Sequence, residues 1–177
     1  CAVDQSPVAV VITDDRGAIE YSNDSFSRMT GFLREELMDK NSRILKSGKQ
    51  SDEFYQQLWG CITAGDNWHG ELQNQHKDGS LYWADSSIYP IRVGLDENSN
   101  FVLISMDVTE QKAKDSQLKM ASTVFDTTSE AIIVSNSDNK IQMVNPAFTR
   151  TSGYSAAKVI GKNPGLLSSD HHDAQFY

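Results

Sequence analysis

The sequence predicts an α+β fold, a five-stranded antiparallel sheet with short helices on one face, present in one complete copy followed by the amino-terminal half of a second. Three observations predict it. Apolar, β-branched runs open and close the first 110 residues, with several short helical patterns between them. An Asp78-Gly79 turn separates two long alternating runs, which is a hairpin signal. Finally, Asn23-x-x-Phe26-x-Arg28-x-x-Gly31 returns as Asn145-x-x-Phe148-x-Arg150-x-x-Gly153, an offset of 122 residues.

In chain order, Val8 to Thr13 is a short apolar strand and Asp14 to Gly17 is a turn. Ala18 to Ser22 completes the hairpin. Asn23 caps a helix whose Phe26, Met29 and Thr30 share one face until Gly31 ends it. Short helical pieces carry Arg34–Met38 and Ser42–Leu45. Ser51 starts a longer helix with Phe54, Leu58, Cys61 and Ile62 inward, closing at Gly65. Three strands follow, at Trp68 to His76, Leu81 to Val93 and Phe101 to Val108. Asp107 and Glu110 read as a capping box that launches a helix through Lys119. The same 122-residue offset pairs Ile19 with Ile141, Lys40-Asn41 with Lys162-Asn163, and Leu45 with Leu167. These patterns divide the chain into a first unit at 1–110, a linker helix at 111–122 and half of a second unit at 123–177.

The 177 residues carry a formal net charge of −8, and the imbalance lies in the first unit. Residues 1–110 hold 9 Lys and Arg against 18 Asp and Glu. An acidic surface repels phosphate backbones, so nucleic-acid binding is not expected. No apolar run has membrane-spanning length, and no membrane contact is expected. Two cysteines, Cys1 and Cys61, make neither a disulfide framework nor a metal motif. His171-His172, beside Asp170 and Asp173, has no further ligand nearby and is not read as a metal site. No phosphate loop, nucleophile elbow or carboxylate pair stands out, so no catalytic residue is assigned.

Several stretches resemble PAS domains: Tyr21-Ser22-Asn23, Phe26 to Phe32, Trp68-x-Gly70-Glu71-Leu72, Lys77-Asp78-Gly79 and Asp107-Val108-Thr109-Glu110. Asn41-Ser42-Arg43-Ile44-Leu45-Lys46 is similar to the flavin-site helix of the light-sensing LOV subfamily, with Ser42 at the position of its reactive cysteine. Asn74 matches a LOV asparagine that contacts the flavin. Ala84 and Ser105 stand where LOV domains carry a second asparagine and a glutamine. Tyr55 to Gly60, Asn67-Trp68-x-Gly70 and Leu81-Tyr82-x-Ala84 look closer to the FAD-containing PAS domains of redox sensors of the NifL and MmoS type.

That resemblance implies a cytoplasmic, non-catalytic redox or oxygen sensor. It would hold FAD rather than FMN and work as a homodimer in a two-component-like pathway, with an effector domain beyond Tyr177. The implied cofactor contacts are Trp68, Asn74, Asn41, Ser42, Arg43, Lys46, Ala84 and Ser105. Two readings stand for most of them. Trp68 is either a core indole or a pocket wall, and its parity with Asn74 along one strand favours the wall over Trp59. Asn41 is either a helix cap or a ligand contact. Arg43 and Lys46 are either solvated charges or neutralisers of a pyrophosphate. The alternative function is a cofactor-free module for dimerisation or protein contact. The second unit, with Pro164-Gly165 in place of Ser42-Arg43, is expected to hold no flavin.

Overall fold

The computed structural model describes residues 6–92 and 99–167, and the chain forms two compact units, Cys1–Lys112 and Ala113–Tyr177. Val93 and the His171-His172 pair lie outside the described residues. In the first unit, β1 (Ala9–Thr13) and β2 (Ile19–Ser22) form a hairpin that leads into α1 (Asp24–Thr30) and α2 (Arg34–Leu37). A 3₁₀ turn at Ser42–Leu45 and α3 (Asp52–Thr63) follow, then β3 (Trp68–Gln75), β4 (Leu81–Arg92) and β5 (Ser99–Asp107). The sheet order is β2-β1-β5-β4-β3, with every neighbour antiparallel. Pro90 is tolerated in β4 because β3 has already ended, at the Trp68–Ile88 pair, so β4 has no neighbour on that side.

Asn23 explains why the repeated motif begins with asparagine. Its side chain accepts from Phe26 N–H at 3.0 Å and from Val10 N–H at 2.9 Å, and donates to Val8 O at 2.9 Å. One buried amide therefore caps α1 and latches it to β1, a job that needs a donor and an acceptor on one short side chain. The second unit repeats the device. Asn145 accepts from Phe148 and Ile132 N–H and donates to Glu130 O, joining α5 (Pro146–Ser152) to the hairpin of β6 (Ile133–Ser135) and β7 (Ile141–Val144). The left-handed backbone positions repeat as well. Gly17 (φ +84°) aligns with Asn139 (φ +56°), and Asp39 (φ +61°) with Gly161 (φ +80°).

Two clusters build the first core. One gathers Ala9, Val11, Ile19, Phe26, Leu37 and Leu45 under the hairpin. The other gathers Leu58, Ile62, Leu72, Ile88 and Phe101 between α3 and the three long strands. Leu103 packs against both. The segment from Asp39 to Ser47 crosses between the two ends of the sheet. At one end Ile19 N–H donates to Lys40 O, Asp39 N–H to Ile19 O and Ser42 N–H to Gly17 O. At the other end Lys46 bridges to Asn74 and the Ser47 hydroxyl donates to Gln73 O.

The linker helix α4 (Thr109–Thr127) is longer than the stretch from Glu110 to Lys119 that the sequence suggests, and none of its residues is buried. Its root is fixed to β4. Val108 N–H donates to Trp83 O at 2.8 Å and Trp83 N–H to the Thr109 hydroxyl at 2.8 Å. Asp107 Oδ1 accepts from Thr109 N–H at 2.9 Å. Lys112 adds an ion pair to Glu71 at 2.7 Å and lies 4.8 Å from the centre of the Trp83 ring.

Candidate functional site

Between α3, the Asn41–Lys46 stretch and the inner sheet face lies a half-enclosed cavity of about 100 Å³, placed at the seam of the two clusters. Its floor is apolar: Leu45, Leu58, Ile62, Leu72, Ile88, Phe101 and Leu103. Alternation along β3 turns Leu72 and Asn74 to this face and leaves His69 and Glu71 exposed. Asn74, nine-tenths buried, is the polar group that the strand brings to the wall.

The rest of the rim comes from Asn41, Ser42, Arg43 and Lys46, with Tyr55 and Trp59 from α3. Asn41 is committed to the backbone. Its Nδ2 donates to Arg16 O at 2.8 Å and its Oδ1 accepts from Arg43 N–H at 3.1 Å, so it holds the 3₁₀ turn against the β1–β2 turn. Neither Arg43 nor Lys46 forms an ion pair among the described residues; Lys46 Nζ instead lies 3.4 Å from the centre of the Tyr55 ring. The Tyr55 hydroxyl is buried without a hydrogen-bond partner, and burial raises its pKa. It remains a neutral phenol at neutral pH, with a donor to offer.

Five of the eight residues read from the sequence, Asn41, Ser42, Arg43, Lys46 and Asn74, thus meet at the cavity. The other three are not in its lining. Ala84 is fully buried on the inner face of β4, opposite Leu72. Ser105 is held by Ser86, Oγ to Oγ 2.7 Å, with both side chains buried. Trp68 is on the expected face of β3, but its ring folds back over Gly70, where an added Cβ would come within 2.8 Å of it. There it packs edge-to-face on Phe54, with centroids 6.0 Å apart. The indole that does line the cavity is Trp59, set edge-to-face on Phe101 at 5.7 Å, its tip against Gly17. Tyr55 also escaped the sequence reading, because it lies one position off the apolar stripe of α3.

Comparison with known proteins places this geometry. The nitrogen fixation regulatory protein of Klebsiella pneumoniae is 29% identical over 150 residues, covering 82% of this chain and 30% of that protein. The bacterioopsin transcriptional activator of Halobacterium salinarum is 33% identical over 121 residues, covering 67% of this chain and 18% of that protein. The chain thus spans less than a third of the length of these relatives. Among solved structures, an RNA-binding light-oxygen-voltage receptor superposes with a TM-score of 0.61 at 25% identity, covering 69% of this chain and 35% of that one. Residues 119–177 match the family model of the PAS fold and residues 7–110 that of the PAS domain, so the chain belongs to the PAS family.

Proposed function

We propose that the first PAS unit of this signal-transduction module binds FAD and reports redox state or oxygen through α4 to an effector elsewhere in the full-length protein. The observation that carries this reading is the make-up of the cavity. An apolar floor, one strand amide at Asn74, a phenol at Tyr55 without a hydrogen-bond partner and two cations outside any ion pair among the described residues suit a flat heterocycle with a phosphorylated tail. Leu58, Leu72 and Ile88 would cover the ring faces, Asn74 and Tyr55 would meet its polar edge, and Arg43 and Lys46 would neutralise the phosphates. When bound, a flavin supplies the electron chemistry.

The cavity is smaller than the roughly 300–1,000 Å³ of most small-molecule sites. Binding therefore requires Lys46, a half-buried side chain of the rim, to turn aside. The similarity to a nitrogen fixation regulatory protein supports a regulatory role over a catalytic one. A cytoplasmic homodimer completes the reading; among the described residues no helix is long and apolar enough to cross a membrane.

The test is direct. Purified protein, or protein incubated with FAD and desalted, should be yellow and carry about one flavin per chain, as expected for one site in the first unit. A colourless product that takes up no FAD overturns the proposal and leaves the cofactor-free contact module in its place.

A further inference from the structure

Among the described residues Tyr82 is the largest fully buried side chain, 1% exposed, on the inner face of β4. In the strand register it lies opposite Asn74 of the cavity wall, while Ala84, its next neighbour on the same face, lies opposite Asp107. Its hydroxyl is buried and makes no hydrogen bond of normal geometry. His76 stacks on its ring with centroids 4.2 Å apart and planes 26° apart. Phenylalanine would fill the same space without an unsatisfied hydroxyl, so the oxygen is there at a cost to folding.

We infer that Tyr82 is a positioning residue that couples Asn74, in the cavity wall, to Asp107, at the root of α4. Both ends of the coupling are in place. On one side Asn74 is its cross-strand partner, and on the other the Asp107 carboxylate, paired with Ala84, is its diagonal neighbour across β4 and β5. Burial and that carboxylate push its pKa up to about 12, against the opposing pull of Asn74, so the hydroxyl stays protonated at neutral pH. Asp107 in turn receives Thr109 N–H, and the residue next to Tyr82, Trp83, holds both Val108 and Thr109. A route along β5 through Ser105 is less available, because that hydroxyl is already satisfied by Ser86. The inference does not depend on what fills the cavity.

A double-mutant cycle read by amide hydrogen exchange tests it without any ligand. The Val108 and Lys112 amides, bonded to Trp83 O and Val108 O, report the α4 root, and the Phe26 amide reports the core. In the Tyr82 protein, Asn74→Ala should change root protection relative to Phe26 by about three- to tenfold, the size of a direct coupling. In Tyr82→Phe the same change should fall below about 1.5-fold, within the additivity error of uncoupled sites. Asn74→Ser serves where the alanine variant does not fold, and Asp107→Asn gives an independent second cycle. Equal changes in both backgrounds, or protection that shifts in step with Phe26, would overturn the inference. A purely structural tyrosine moves all three amides together.

Discussion

Replacing Gly17 with alanine tests the close packing at the mouth of the cavity. Two costs arise there. The backbone φ of +84° lies in the left-handed region, where a side chain costs about 1–2 kcal/mol. In addition, a Cβ would come within 3.2 Å of Trp59 Cη2 and 3.4 Å of both Asn41 Nδ2 and Ser42 Oγ. Trp59 is backed by Phe101 and Asn41 is held at both ends, so neither yields freely; overpacking of this kind costs about 1–3 kcal/mol. Gly48 separates the two costs, since its φ is +73° with nothing within 4 Å of the added Cβ. The expected losses are about 2–5 kcal/mol for Gly17→Ala and no more than about 1–2 for Gly48→Ala. All three tryptophans, Trp59, Trp68 and Trp83, lie in the first unit, so urea unfolding followed by tryptophan fluorescence reports that unit alone. Equal losses in the two variants would show that the Trp59 contact carries no weight.

Asn23→Ala removes a cap and leaves the half-buried Val10 N–H and Val8 O without their side-chain partner, and should cost about 2–4 kcal/mol in the same unfolding assay. Trp59→Ala should lower FAD occupancy after reconstitution more than Trp68→Ala, by the placement of the two rings; the reverse order would return Trp68 to the cavity wall. Because Ser42 offers no thiol, blue light should leave no slowly reverting change in the visible spectrum of FAD-loaded protein. Hydrogen bonds from Lys77, then from Leu33 N–H, hold the Glu36 carboxyl below its ordinary 4.5. Its contribution is present above that value and disappears as pH falls through the lowered one. Denaturation midpoints of wild type and Glu36→Gln should therefore converge in acid, and a gap that widens there would contradict the assignment.

Local signals made the fold legible. The Asp78-Gly79 turn, the Asn23 and Ser51 caps and the 122-residue repeat each act within a few residues of where they are read. The end of α4 was not legible for the same reason. Ser122 and Thr123 look like stop signals, but the Thr123 hydroxyl donates back to Lys119 O and the helix runs on to Thr127. At the site, parity gave the correct side of β3 for Trp68, but not the direction its ring takes along the strand. Gly70, two residues on, leaves the bare surface on which that ring lies flat. Tyr55 was missed because the cavity opens beside α3, so residues flanking the apolar stripe line it.

The segment from Asp39 to Ser47 has one more consequence. β2 and β3 are the two outermost strands, and this segment bonds to the outer side of each. The five strands and the segment thus close into a ring, as the last stave closes a barrel. Where the segment bonds, at Ile19 of β2 and at Gln73 and Asn74 of β3, the edge is taken and an added peptide strand would find no partner there. Exposed apolar side chains offer other contact surfaces, with Ile104, Met106 and Tyr89 on the outer face of the sheet and Leu118, Met120 and Val124 on α4. The closure also sets the size of the interior. The segment supplies Asn41, Ser42, Arg43, Leu45 and Lys46 to the cavity lining, so what fits inside depends on how those side chains turn.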